Sequence, residues 1–237
     1  MIDINCDLGE GLDNEHLLMP LISSCNISCG AHAGSVDVID KVMALAIQHQ
    51  VKIGAHPSFP DRENFGREVM EMSNDELQES LEAQLQLFKE RAVIQNATIH
   101  HVKPHGALYN LIAVNEEKAD VVVKAIQNTF EKVKLYVPCN SVIEAVAQAN
   151  GLKIVYEAFA DRNYNDNLTL VSRALPYAVI TDKEKVLRHA KRMFEESKVR
   201  TVQDKEVEIK AQTFCVHGDN KKVIEILECL NEEFMSD

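Results

Sequence analysis

The chain has 237 residues, of which 46% are hydrophobic and 26% are charged, a composition that is ordinary for a soluble globular protein. Its net charge is −12 and it has no run of lysines or arginines, which argues against a nucleic-acid partner. We find neither the basic and apolar parts of a signal peptide nor an apolar run of the roughly 20 residues that cross a bilayer. These features predict a cytoplasmic protein that binds no nucleic acid and no membrane.

Apolar segments in the chain predict seven β-strands separated by helices. The strands are expected at residues 2–5, 25–29, 52–55, in a stretch from 98 that stops at Pro104, and at 135–137, 153–156 and 213–216. Residues 36–50 show the i, i+3, i+4, i+7 spacing of a helix with one apolar face. Capping boxes are expected at Ser73–Glu76 and Thr181–Glu184, and Asn140 is placed to cap a further helix. Residues 199–210 are expected to form an added hairpin.

This alternation of strands and helices predicts a parallel sheet that is covered by helices. Seven strand–helix units fit a seven-stranded (β/α) TIM-like barrel, and a doubly wound open sheet is the alternative. No linker, repeat or low-complexity tract interrupts the pattern, so residues 1–237 are expected to form one domain. The six cysteines include no Cys-x-x-Cys pair and are expected to be reduced and buried.

Polar residues collect where the predicted strands end. They are Asp7 and Glu10 after the first strand, His32 after the second, His56 after the third, Lys103 and His105 after the fourth, Glu157, Asp161 and Arg162 after the sixth, and His217 after the seventh. In a parallel barrel the carboxyl ends of all strands open on the same face, where active sites are found. We therefore expect these residues to meet at one mouth.

The stretch around Pro104 is the strongest local signal. Proline biases the residue before it towards extended backbone, so Lys103 should continue the line of the strand, and Gly106 permits a turn there. Simpler explanations exist for other positions: His56 is fixed in a turn by Pro57, or His217 is a hydrogen-bonded core histidine. In the same way, Asp161 and Arg162 are explained as a local ion pair, and Asp219 as the cap of the last helix.

Carboxylates, histidines and a lysine together suit acid–base chemistry on a carbonyl compound, with or without a metal. Asp7, His56 and His105 make a two-histidine, one-carboxylate set for a divalent metal, although no local His-x-x-x-His spacing supports it. There is no serine elbow and no Gly-x-x-x-x-Gly-Lys phosphate loop. If ATP is used, it is not bound by such a loop.

Six motifs, in order along the chain, resemble the LamB/YcsF family, which includes the A-type subunit of the bacterial ATP-hydrolysing 5-oxoprolinase. They are NCDLGEG at 5–11, SCGAHAG at 28–34, GAHPS at 54–58, VKPHGALY at 102–109, EAFADR at 157–162 and CVHGD at 215–219. The resemblance implies a barrel related to glycoside hydrolases and polysaccharide deacetylases. It also implies ATP-coupled hydrolysis of 5-oxo-L-proline to L-glutamate with partner subunits B and C. A homo-oligomer is left open.

The resemblance also suggests roles for the residues at the mouth. The catalytic set is Asp7, Glu10, His32, Lys103, His105 and Glu157, and the substrate-binding set is Asp161, Arg162, Arg173 and His217. Within them, Lys103 would neutralise phosphate or oxyanion charge, His105 or Glu10 would act as general base, and His32 would orient the lactam. Either arginine would bind the substrate carboxylate.

Deacetylase relatives hold a divalent metal with one acidic residue and two histidines, and the corresponding positions here are Asp7, His56 and His105. Two alternatives remain at this point. One is a metal-dependent amide hydrolase of the deacetylase type, and the other is a non-catalytic, lactam-binding subunit of a lactam-uptake or regulatory assembly.

Overall fold

The computed structural model describes residues 2–234, and its centre is a closed barrel of seven parallel strands. The barrel strands are β1 (Ile4–Leu8), β2 (Ser24–Ser28), β3 (Lys52–His56), β4 (Ile99–Val102), β5 (Lys134–Pro138), β6 (Lys153–Phe159) and β9 (Thr213–Cys215). They follow one another around the barrel in chain order, and β9 closes it between β6 and β1. The predicted seven-stranded barrel is thus confirmed, and the open-sheet alternative is wrong.

Helices cover the outside of this barrel. They are α1 (Glu15–Leu18), α2 (Val36–Gln48), α3 (Asn74–Ile94), α4 (Gly106–Ile112), α5 (Glu116–Thr129), α6 (Val142–Ala149), α7 (Lys183–Glu195) and α8 (Val223–Phe234), with a short 3₁₀ turn at Met19–Leu21. The predicted hairpin exists as the antiparallel pair β7 (Lys198–Arg200) and β8 (Glu206–Glu208), outside the barrel. Within residues 2–234, none of the helices has the length and apolarity needed to cross a membrane.

Capping and an apolar stripe explain the longest helix, α3. The Ser73 side chain accepts from the Glu76 amide while the Glu76 carboxylate accepts from the Ser73 amide, as the capping-box spacing predicts. Leu77, Leu81 and Leu85 lie on one face and are buried. Burying side chains of this size stabilises the fold by about 1.5–3 kcal/mol each, so the stripe determines which face of α3 packs inward.

Two other predicted caps are wrong by one residue. Ser141, not Asn140, caps α6 by accepting from the Glu144 amide, and Asn140 instead has a positive φ of 58°. Asp182, not Thr181, caps α7 by accepting from the Lys185 amide. In each case a neighbouring short polar side chain has the extended backbone that an N-cap requires.

The strand ends also differ from the prediction at three sites. β1 extends to Leu8, β3 to His56 and β6 to Phe159, so Asp7, His56 and Glu157 lie within strands and not after them. A charged side chain in a buried strand is costly unless it has a partner of opposite charge. Such a partner cannot be identified from the sequence, so a charged residue at the end of an apolar segment predicts that the strand stops before it. Nothing in the sequence pattern indicates α4, which begins at Gly106.

The barrel interior is polar, which is unusual for a fold whose centre is commonly filled by branched apolar residues. Asn5 Nδ2 donates to Thr213 Oγ1 at 2.9 Å, and Asn26 Nδ2 donates to Asn5 Oδ1 at 2.8 Å. His101 Nε2 lies 2.6 Å from Asn26 Oδ1, and its ring stacks on Tyr136 with centroids 3.8 Å apart. Apolar side chains lie instead between the strands and the helices.

One glycine makes room for this interior. A Cβ built on Gly54 would lie 2.1 Å from Nε2 of His101, so a larger residue cannot stand there without displacing the ring. The pairing of β3 with β4 shifts register between Ile53 and Gly54. The irregular register and the missing side chain together let the His101 ring occupy the barrel centre.

Candidate active site

Lys103 lies just beyond β4 and still follows its line. Its amide donates to the Ala55 carbonyl at 2.9 Å, and the His105 amide donates to the Pro57 carbonyl at 2.8 Å, so β3 guides both residues. Gly106 then has a φ of +55°, and a Cβ there would lie 2.5 Å from the Gly66 carbonyl oxygen. The extended Lys103 and the glycine turn predicted from Pro104 are therefore both present.

The Lys103 ammonium is buried between two carboxylates. Its Nζ lies 2.9 Å from Asp7 Oδ1 and 2.8 Å from Glu157 Oε1, and also 3.2 Å from Cys215 Sγ. Burial acts to lower the pKa of Lys103, but Asp7, Cys215 and Glu157 act in the opposite direction, and the pKa is held well above its ordinary value. Lys103 is thus a permanent cation and not a base at neutral pH.

Asp7 is held as an anion by its neighbours. Burial acts to raise its pKa, but His56 and Lys103 outweigh burial and keep the pKa well below its ordinary value. Asp7 Oδ1 also accepts from Asn26 Nδ2 at 2.8 Å. Asp7 therefore connects the charged mouth to the polar network of the barrel interior.

Three histidines surround the Glu10 carboxylate. Glu10 Oε1 lies 3.4 Å from His32 Nε2, 3.9 Å from His56 Nε2 and 3.3 Å from His105 Nδ1. The rings of His32 and His105 are stacked, with centroids 3.8 Å apart and an interplanar angle of 4°. Burial is the largest cause of the lowered pKa values of His32 and His105, so both rings are neutral near pH 7.

A second histidine–carboxylate pair lies on the other side of the mouth. His217 Nδ1 lies 2.8 Å from Asp161 Oδ1, and Asn220 Nδ2 donates to Asp161 Oδ2 at 3.0 Å. Asp161 is fully buried, and its pKa, which burial acts to raise, is lowered by His217 and Asn220. Asp161 therefore orients His217 from behind and is not a local partner of Arg162.

Arginines line the outer part of the mouth. Arg67 and Arg173 both donate to Asp219 Oδ2, at 2.7 and 3.0 Å, so Asp219 is an ion-pair partner and not the helix cap expected from sequence. Two guanidinium groups on one carboxylate leave an excess positive charge. Arg162 is buried and donates to the carbonyls of Val171 and Ala178 at 2.6 and 3.1 Å, which fixes the loop after β6.

These side chains enclose a cavity of about 600 Å³ at the carboxyl ends of the barrel strands, which is within the size range of small-molecule sites. Of the residues expected from sequence, those on the cavity wall are Asp7, Glu10, His56, Lys103, His105, Glu157, Arg162, Arg173 and His217. His32 and Asp161 lie behind the wall, against His105 and His217 respectively. The structure thus brings the whole predicted set into one region, and their individual roles remain predictions.

Sequence reasoning missed Arg67, Tyr109 and Asp219 on the cavity wall. Arg67 could have been predicted from the sequence, because it follows Gly66 in the loop after β3, and this loop opens on the same face as the other site residues. Tyr109 has the sequence context of a packing residue, but α4 carries it to the cavity, where burial and the charge of Glu157 raise its pKa.

A divalent cation suits one part of this wall better than another. The groups whose ligand atoms all lie within 4.8 Å of one another are Glu10 with His32, His56 and His105, and Asp7 with Cys215 and His217. Asp7 Oδ1 is already occupied by Lys103 and Asn26, whereas Glu10 Oε1 has no hydrogen-bond donor among residues 2–234. The histidine-rich group is therefore the better candidate for a metal.

Comparison with known proteins matches nearly the whole chain to one protein family. The sequence profile of the LamB/YcsF family matches residues 2–237. The chain belongs to the LamB/YcsF family. Its relatives include the A-type 5-oxoprolinase subunits of Bacillus cytotoxicus, 38% identical over 98% of this chain and 94% of that protein, and of Staphylococcus aureus (strain Newman), 39% identical over 100% and 96%.

A solved structure shares the fold of this LamB/YcsF protein. It is the lactam utilization protein from Thermus thermophilus, which superposes with a TM-score of 0.90 at 35% sequence identity and covers 98% of this chain and 96% of that one. The likeness extends over the barrel and its helices. The resemblance drawn from the six motifs is thus confirmed at the level of family and fold.

Proposed function

We propose that this chain is the A-type subunit of an ATP-dependent 5-oxoprolinase, which opens 5-oxo-L-proline to L-glutamate together with B- and C-type subunits. The observation that carries the proposal is the buried Lys103 between Asp7 and Glu157 on the wall of the cavity. Relatives described as A-type 5-oxoprolinase subunits and as a lactam utilization protein support the substrate. The free thiols of the six cysteines support action in the cytoplasm, where thiols are kept reduced.

The reaction needs ATP because a five-membered lactam is a stable amide. Transfer of the γ-phosphoryl group to the lactam oxygen breaks the bond to ADP and makes the ring carbon more electrophilic. Water adds to this carbon, the C–N bond breaks as the nitrogen takes up a proton, and an acyl phosphate remains. A second water releases phosphate, so one ATP and two waters yield glutamate, ADP and phosphate.

The arginines at the mouth suit the substrate carboxylate. Arg67 and Arg173 share Asp219 and leave an excess positive charge on the cavity wall. A guanidinium group binds a carboxylate through paired hydrogen bonds, and its flat geometry orients the ring. We assign Arg173 and Arg67 to this contact, while Arg162 shapes the loop that carries Arg173.

Lys103 acts mainly on the carboxylates beside it. Its ammonium makes close contacts with Asp7, Glu157 and Cys215, so it keeps both carboxylates ionised in a buried site. The paired charges are fixed before the reaction, and such preorganised groups stabilise charge that develops in a transition state. Negative charge on the lactam oxygen or the phosphoryl group would draw Lys103 away from one carboxylate and free that carboxylate to accept a proton.

The general base for water is assigned to Glu10 with His105. Glu10 Oε1 lies 3.3 Å from His105 Nδ1, and both side chains line the cavity. His32 stacks on His105 and lies beside Glu10, which holds the two groups in place. Burial lowers the pKa of His105, so the ring is in its basic form near pH 7.

An assay of glutamate release tests the function. The purified chain is incubated with 5-oxo-L-proline and ATP, with and without B- and C-type subunits. Glutamate and ADP should form in equal amounts with all three subunits. Binding of 5-oxo-L-proline without any release of glutamate, measured by calorimetry in the same mixture, would instead identify a non-catalytic, lactam-binding role.

Two variants connect the assay to the site. Arg173→Gln should raise the KM for 5-oxo-L-proline at least tenfold with a smaller change in kcat, because the lost contact is to the substrate carboxylate. Arg188→Gln, on the exposed face of α7, is the matched control and should leave both constants unchanged. An unaltered KM for Arg173→Gln would remove this arginine from the site.

A metal-dependent amide hydrolase is the second candidate, favoured by the histidine-rich group around Glu10. It would hydrolyse an amide without consuming ATP. Omission of ATP from the same assay separates the two, since the second candidate predicts full activity without nucleotide.

A further inference from the structure

His56 and His105 present lone pairs to one another. His56 Nδ1 lies 2.6 Å from the Lys103 carbonyl oxygen, and His105 Nε2 lies 2.9 Å from the Phe65 carbonyl oxygen. A carbonyl oxygen only accepts hydrogen bonds, so each of these nitrogens carries its ring's proton. The remaining nitrogens, His56 Nε2 and His105 Nδ1, are then unprotonated in the neutral rings, and they lie 3.0 Å apart.

Two facing lone pairs at this distance repel unless a cation lies between them or beside them. The side chains are 1% and 7% exposed, so bulk water cannot screen the repulsion. A proton shared by the two nitrogens would satisfy this contact, but it would leave the buried Glu10 Oε1 without a hydrogen-bond donor among residues 2–234. A metal ion satisfies both nitrogens and this oxygen.

Glu10 supplies the third ligand. Its Oε1 is buried, accepts no hydrogen bond within residues 2–234, and lies 3.9 Å from His56 Nε2 and 3.3 Å from His105 Nδ1. The point equidistant from the corners of a triangle with sides 3.0, 3.3 and 3.9 Å is about 2.0 Å from each corner, which is the bond length of Zn²⁺ to nitrogen and carboxylate oxygen. The anion also balances half of the charge of a divalent ion.

We propose that Glu10 Oε1, His56 Nε2 and His105 Nδ1 bind one divalent transition-metal ion of the Zn²⁺ class. The carbonyls behind the two rings are the outer partners that orient metal-binding histidines. All three side chains line the cavity, so the remaining positions of the ion face the space for substrate. The inference concerns metal binding alone and holds whichever amide is the substrate.

His32 is excluded from this set although it belongs to the same group. A ring nitrogen binds a metal in the plane of its ring, and the planes of His32 and His105 are nearly parallel with centroids 3.8 Å apart. One ion cannot lie in both planes. The rings of His56 and His105 cross at 85°, so their planes do intersect. His32 is therefore a positioning residue that supports His105 and Glu10.

Glu10, and not Asp7, is the carboxylate ligand in this metal site. Asp7 Oδ1 is held by Lys103 and Asn26 at 2.9 and 2.8 Å, and Oδ2 lies 3.5 Å from His56 Nε2. The metal set suggested by the sequence, Asp7 with His56 and His105, thus keeps its histidines and exchanges its carboxylate. When bound, the ion would act as a Lewis acid and lower the pKa of a coordinated water. It would then take the place of the general base assigned above to Glu10 with His105, because it occupies the lone pairs of those two groups.

Metal binding itself is the test, so the result does not depend on turnover. The full-length chain is stripped with a chelator, dialysed, and titrated with Zn²⁺ and Co²⁺, with metal content measured by elemental analysis. One equivalent of either ion is expected. The Co²⁺ form should show visible absorption bands of a four- or five-coordinate nitrogen–oxygen site. Absence of stoichiometric binding of both ions would overturn the proposal and leave a shared proton between the histidines.

Variants identify the ligands. Glu10→Gln and His56→Ala should each weaken Zn²⁺ binding at least a hundredfold, and Asp7→Asn should weaken it less than tenfold. His32→Phe, which keeps the ring stack, should retain one equivalent. The control is His16→Ala, at an exposed position of α1. Circular dichroism confirms folding, and the Co²⁺ spectrum of folded His32→Phe gives an independent reading. Unchanged binding in Glu10→Gln, or its loss in His32→Phe with the fold retained, would contradict the assignment.

Discussion

Replacement of Lys103 by methionine should destabilise the protein strongly. The change keeps most of the side-chain volume but removes the ammonium that lies 2.9 Å from Asp7 and 2.8 Å from Glu157. Both carboxylates are buried, with side-chain exposures of 8% and 0%, so neither can turn to bulk water. Two negative charges would then face each other across the cavity wall.

The magnitude follows from the loss of one partner from a buried ion pair, which costs about 3–5 kcal/mol. For a chain of this size, each kcal/mol lowers the melting temperature by roughly 2–4 °C, so a fall of roughly 10 °C is expected. The exposed pair of Lys52 and Asp3 gives the matched comparison. Its lysine is 49% exposed, and Lys52→Met should cost less than about 1 kcal/mol.

Urea unfolding at pH 7 measures both variants. A second substitution, Glu157→Gln, should recover part of the loss in the Lys103→Met background because it removes one of the uncompensated charges. The deficit should also shrink at pH 5, since a carboxylate without its cation is protonated more readily. If Lys103→Met unfolds within about 1 kcal/mol of the wild type, or if Glu157→Gln restores nothing, the electrostatic reasoning is refuted.

Two further predictions concern stability away from the charged mouth. Burial lowers the pKa of His189 to about 4, below its unfolded value near 6.5, so protonation of this residue favours the unfolded chain. His189 alone should lower the stability by about 2 kcal/mol between pH 7 and pH 5. In urea titrations, His189→Gln should reduce the pH dependence by this amount and exposed His16→Gln should not; equal slopes in all three proteins would contradict the prediction. Gly54→Ala should lower the free energy of unfolding by about 3 kcal/mol, because the new methyl group overpacks against His101. Gly11→Ala is the comparison: Gly11 has a φ of +84° and open space around it, so this change should cost only about 1 kcal/mol. Similar melting temperatures for the two variants would show that the His101 ring moves aside freely.

The fold was predictable because its apolar pattern is regular. Helices such as α2, with Ile39, Val42 and Met43 buried on one face, follow directly from spacing. Parallel strands then bring their carboxyl ends to one face, which predicted the location of Lys103 and His217. The chain order of the strands around the barrel is the simplest one, and no long-range rearrangement had to be known in advance.

What sequence could not show is which polar groups find partners. Asp7 and Glu157 were expected in loops because a charged residue normally ends a buried strand, but Lys103 pairs with both inside the barrel. The orientation of the His56 and His105 rings depends on the backbone carbonyls of Lys103 and Phe65. Every residue has a backbone carbonyl, so the sequence does not indicate which one a histidine will contact. Glu10 was recognised as a site residue, but the sequence does not show that its carboxylate lies 3.3 Å from His105 Nδ1.

The polar interior of the barrel joins its two ends. Thr213 Oγ1 donates to Asp3 Oδ1 at 2.7 Å, Asn5 donates to Thr213, Asn26 donates to both Asn5 and Asp7, and Lys103 completes the line. The side-chain amides of Asn5 and Asn26 each use both the nitrogen and the oxygen in hydrogen bonds of this line. Rotating one amide by 180° would therefore require its neighbours to exchange donor and acceptor roles as well. Grafting the loops of the candidate site onto another barrel would therefore fail unless the central residues were transferred with them. Arg67 and Arg173 contact Asp219 and lie outside this line, so they can be changed without reversing it.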